Sequence, residues 1–122
     1  MSRPPTGDQV RALLAPLDAI DRKVIGGVCA WMMAEPQRIR DREWLSQRFV
    51  EVCIIAQSNP QDEAAATTDD VEHVRAFAQT RMPDLLAAAT AVFVRTAEDL
   101  RTEGGTVTME RASAIVRSYL AV

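Results

Sequence analysis

The chain has 122 residues, 48% hydrophobic and 25% charged, which suits one globular domain with a single core and excludes the composition of a disordered chain. A formal net charge of −3 gives no global attraction to nucleic acid or to an anionic membrane, so any such binding needs a local patch. Basic charge is carried by Arg everywhere except Lys23, a bias that points to a bacterial source. The first residues carry no apolar signal region, and no apolar stretch reaches the roughly 20 residues needed to span a bilayer, so a cytoplasmic location without membrane association is expected.

Thr6-Gly7-Asp8-Gln9 reads as a capping box, which starts a helix near Gly7 and leaves 1–6 as a flexible N-terminus. Val10, Leu13 and Leu14 share one side of that helix, and Pro16 breaks it. Over about 17–34 the positions Leu17, Ile20, Val24, Val28 and Met32 repeat at helical spacing, and Glu35-Pro36 ends the run. Gly26 and Gly27 in its middle each cost about 1 kcal/mol relative to alanine, which close approach of a neighbouring helix would offset.

Asp41 caps a third helix to about 57. It is apolar almost all round, and 49–55 is β-branched enough to read as helix or strand; helix is preferred, because strong helical patterns flank it and no partner strand is visible. Ser58-Asn59-Pro60 stops it and opens a polar surface loop over 58–67. Thr67 and Asp70 begin a fourth helix, Pro83 in a first turn begins a fifth that runs to about 103, and Gly104-Gly105 ends it. Thr108 caps the last helix, with Ala112, Ile115, Val116 and Tyr119 on one stripe. The expected fold over 1–122 is therefore all-α, a bundle of four principal helices plus one or two short ones. Helix–loop–helix units at about 17–57 and 84–121 suggest two antiparallel hairpins.

With His73 the only histidine, His-rich metal sites are excluded. Asp69 and His73, four apart, read as a surface ion pair rather than two metal ligands. The acidic stretch Asp62, Glu63, Asp69, Asp70 and Glu72 lacks EF-hand spacing and reads as solvated. No phosphate-binding loop, dinucleotide fingerprint or nucleophile elbow occurs. Cys29 and Cys53 sit in apolar runs, where burial suppresses thiol reactivity, and helical geometry sets them too far out of level for a disulfide. No catalytic residue, cofactor or metal is expected, and no residue pattern points to a known family.

Two features remain. One is an apolar surplus around Trp44, Phe49, Ile54 and Ile55, which fits an interface with another protein or a second copy. The other is the basic segment Arg38, Arg40, Arg42 and Arg48, interrupted by Asp41 and Glu43, which nucleic-acid binding would use. A helix-turn-helix over 84–121, presenting Arg111, Ser113 and Arg117, is disfavoured by the length of its first helix. The sequence thus points to a non-enzymatic, self-associating interaction module, with a nucleic-acid-binding regulator or a small-ligand-binding bundle as alternatives. The last of these predicts a cavity lined by Met and Trp with a few polar groups.

Overall fold

The computed structural model describes residues 3–57 and 68–120, the side chains of 57 and 68–71 excepted. Its helices are α1 (Gly7–Leu14), α2 (Ala19–Ala34), α3 (Arg42–Gln57), α4 (Thr68–Glu103) and α5 (Met109–Leu120), with a 3-10 turn at Pro36–Arg38, and no strand occurs among the described residues. Residues 49–55 are helical. The expected loop over 58–67 and the start of the N-terminus lie outside the described residues.

Short polar side chains open the helices as their positions suggest. The Gln9 amide donates to Thr6 Oγ1 at 3.1 Å, and the Thr6 amide donates back to Gln9 Oε1 at 2.8 Å, completing the capping box. Asp41 Oδ1 accepts from the Trp44 amide, and Thr108 Oγ1 from the Arg111 amide, each at 3.1 Å. Pro16 separates α1 from α2, but the second cap is Asp18, whose carboxylate takes the Asp21 amide at 2.8 Å, so α2 starts later than the apolar periodicity implies. Gly104 and Gly105, with φ of 71° and 81°, supply the left-handed turn between α4 and α5.

One expectation is corrected. Pro83 does not start a fifth helix: it lies inside α4, a single helix of 36 residues and about 54 Å. The apolar stripe explains this, because Val74, Ala78, Leu85, Ala89, Val92, Thr96 and Leu100 keep helical spacing straight through the proline. Packing of that stripe outweighs a local penalty of about 3 kcal/mol. Pro83 itself is exposed, where water can serve the Gln79 carbonyl that the missing amide leaves without its helical partner. The bundle is consequently not a pair of matched hairpins. α4 is a spine that touches every other α-helix, and α2 crosses the core against α3, α4 and α5.

The core is one cluster built from Val10 and Leu14 of α1, Val24, Ile25, Val28, Cys29 and Met32 of α2, Phe49, Val52 and Cys53 of α3, Ala78, Leu85, Ala88, Ala89 and Val92 of α4 and Val116 of α5. Polar groups tie its ends. The Arg22 guanidinium donates to the carbonyls of Leu14 at 2.9 Å and of Leu17 and Leu120 at 3.3 Å, so one side chain collects the C-terminal ends of α1 and α5. Asp99 accepts from Tyr119 Oη at 2.7 Å and from Arg95 Nε at 2.9 Å, while Arg95 also reaches the Pro5 carbonyl.

Candidate functional site

The glycine pair of α2 sits where its neighbours come closest. A Cβ on Gly27 would stand 2.5 Å from Val52 Cγ1 of α3, and one on Gly26 would stand 3.3 Å from Leu120 Cδ1 of α5. Only glycine lets α3 lie against α2 at this point. The close approach leaves an open groove of about 520 Å³ along the two helices, floored by Gly27, Ala30, Val52 and Ala56 and walled by Trp31 and Ile55. Lys23 stands at one end of it. At the other end the Arg48 guanidinium lies 5.1 Å over the Trp31 ring and pairs with Glu51 at 3.0 Å.

The four apolar residues expected on an interaction surface divide. Phe49 is fully buried in the core, and Trp44 is 6% exposed with its ring set edge-on to Trp31 at 6.4 Å. Neither offers surface to a partner, because α3, apolar on most faces, is covered on two sides by α2 and α4. Ile54 and Ile55 remain, 41% and 72% exposed. They point about 100° apart around the helix, and only Ile55 lines the groove. Lys23, Gly27 and Ala30 were not singled out from sequence as surface. Their signal was present, since 20, 23, 27 and 30 recur at helical spacing and Gly26-Gly27 marked a close contact.

The basic segment does not converge. Arg38 pairs with Glu35 at 3.4 Å in the turn after α2, and Arg48 is drawn inward against Trp31, its Nε buried without a hydrogen-bond partner among the described groups. Arg40 and Arg42 are exposed, and among the described residues no ion pair engages them. Arg111, placed by sequence on the outer face of a recognition helix, instead folds back on the link before α5. It donates to the carbonyls of Gly104 at 2.9 Å and Thr106 at 2.5 Å, and pairs with Glu103 at 3.2 Å. These bonds satisfy carbonyl groups just past the end of α4.

Reactive chemistry finds little footing. Cys29 and Cys53 are free and buried, and the Cys29 thiol donates to the Ala89 carbonyl at 3.4 Å. Burial pushes the Cys29 thiol up to about 12, and burial together with the Asp21 charge pushes Cys53 up to about 11, so both stay protonated near neutrality. The Asp69–His73 pair involves a side chain outside the described residues. Among the described residues no three His, Cys, Asp or Glu side chains gather as metal ligands, and no helix is long and apolar enough to cross a membrane.

Of the four residues expected on an interaction surface, Ile55 alone lines the groove between α2 and α3. Comparisons of the chain with protein-family models, with curated proteins and with solved structures find no match.

Proposed function

We propose that the chain is a non-enzymatic assembly module that associates with a second copy of itself through the α2–α3 groove. The observation that carries this reading is Ile55, an isoleucine 72% exposed to water beside a hollow floored by Gly27 and Ala30 on the same face. A two-fold interface requires one patch to be self-complementary, and this patch carries both a knob and a hole. Trp44 meets Trp31 and Val52 lies over Gly27, so α3 runs antiparallel to α2 there, and a two-fold axis across the groove sets Ile55 of each copy toward the hollow of the other.

Burying an exposed isoleucine contributes about 1.5–3 kcal/mol per copy, enough to matter at such an interface without making the monomer insoluble. A cytoplasmic setting fits this reading, since both cysteines are free thiols. The nucleic-acid alternative has less support, because Arg38 and Arg48 are already engaged and two exposed arginines make a small electrostatic footprint.

Light scattering over a concentration series is the direct test. The expected result is a monomer–dimer equilibrium that Ile55→Glu shifts to monomer while the helical circular dichroism is unchanged. A strict monomer at every concentration, or a dimer indifferent to Ile55→Glu, overturns the proposal.

A further inference from the structure

A second concavity lies at the far end of the bundle, where the last turns of α4, the link before α5, the start of α5 and the end of α2 meet. Its volume is about 240 Å³. Met33, Phe93, Leu100, Met109 and Ala112 form its apolar walls, and among the described residues no charged side chain lines it. We propose that it is a binding site for a small neutral aromatic molecule of one or two rings. This is independent of the α2–α3 groove.

Size fits one or two rings: an enclosed apolar cavity of about 150 Å³ is enough for benzene, and this concavity, open on one side, offers about 240 Å³, room for a fused ring pair of the indole class. Wall chemistry sets the class. Two thioethers and a phenyl ring favour an aromatic guest through sulfur–aromatic and ring–ring contacts, and the absence of any charged wall disfavours an ionised one.

Thr96 lines the concavity at 2% exposure with its hydroxyl already donating to the Val92 carbonyl at 2.7 Å, so it adds no unpaired donor to the apolar walls.

The mouth is held in shape by the chain's own hydrogen bonds. Val107 and Met109, 65% and 50% exposed, stand at the rim as apolar surface that a bound ring would cover. The link carrying Val107 is pinned by the Arg111 bonds to the Gly104 and Thr106 carbonyls. A rim already held in place needs little ordering on binding, which favours affinity.

The test is a titration of the full chain, carbon-13 labelled at the methionine methyls, with indole as the probe and benzoate as its charged counterpart. The Met33 and Met109 methyl resonances are expected to shift with indole and to saturate, while the core Met32 and the distant Met82 stay in place, and benzoate moves none of them. Ala97→Phe, a substitution at an exposed position on the rim, should abolish the shifts without altering the helical spectrum. No shift up to the solubility limit of indole, a non-saturating drift shared by Met32, Met33, Met82 and Met109, an equal response to benzoate, or unchanged binding by Ala97→Phe would each overturn the proposal.

Discussion

Arg81 Nη2 donates to Asp21 Oδ2 at 2.7 Å, joining the first turn of α2 to the middle of α4 across 60 residues of sequence. Asp21 is 5% exposed, so the carboxylate is held beneath the surface by a guanidinium that still reaches water. Replacing Arg81 by Leu strands a buried carboxylate and is expected to lower unfolding free energy by about 1–3 kcal/mol. Asp21→Asn in the same chain should recover part of that loss. Urea denaturation of the two single variants and the double variant closes the cycle, and strict additivity would show that the two groups are not coupled.

Adjacent glycines should respond with opposite sign. Gly27→Ala drives a methyl to 2.5 Å from Val52 Cγ1 and is expected to destabilise by about 1–3 kcal/mol, with Val52→Ala in the same chain relieving part of the clash. Gly26→Ala meets only the end of the Leu120 side chain, at 3.3 Å, and gains helix propensity worth up to about 1 kcal/mol. Thermal melts of the two variants should move in opposite directions from the parent.

Alkaline pH should unfold the protein through its thiols. Both cysteines sit above their ordinary value of 9.0 in the folded chain, Cys29 at about 12 and Cys53 at about 11. Below about 9 the folded and unfolded chains hold these protons equally; above it the unfolded chain loses them first, and stability falls by about 1.4 kcal/mol per pH unit per thiol until the folded values are reached. Tyr119, raised by burial and by its hydrogen bond to Asp99, adds to the same trend above its own ordinary value of 10.0. Urea midpoints measured between about pH 8 and about pH 10.5 should decline, and the decline should be shallower with both cysteines replaced by Ala. A flat profile would refute the thiol linkage.

Arg22 holds three carbonyls, so Arg22→Met should cost about 1.5–3 kcal/mol and expose the last turn of α5 to faster hydrogen exchange. Arg22→Lys keeps the charge but loses the planar fork, and should recover less than half of the difference. Equal stability of Lys and Arg at this position would mean that charge alone suffices.

What could be read from the sequence follows the range of the interaction responsible. Thr6, Asp41, Thr108 and Gly104-Gly105 act within a few residues of themselves, and each marked its helix end correctly. Pro83 is also a local signal, but here a stripe extending from Val74 to Leu100 overrules it, and that stripe becomes decisive only when α2 and α3 are laid against it. Trp44 and Phe49 were placed on a surface because α3 is apolar all round; which sides are covered depends on two other helices. Arg22 reaches the Leu120 carbonyl 98 residues away, and nothing near Arg22 in sequence announces that bond. At the candidate interface, Ile55 was legible as surplus hydrophobicity, whereas the hollow beside it is lined from two helices, by Gly27 and Ala30 of α2 and Val52 and Ala56 of α3.

The continuity of α4 bears on how the chain acquires its structure during synthesis. α1, α2 and α3 emerge from the ribosome before α4, yet the α4 residues that close their core run from Ala78 to Val92. Until α4 has cleared the exit tunnel these helices have only one another to cover Phe49 and Cys53, and α5 cannot dock before its own support exists. The core of α1, α2 and α3 is therefore closed only once α4 has joined them, rather than in two successive halves.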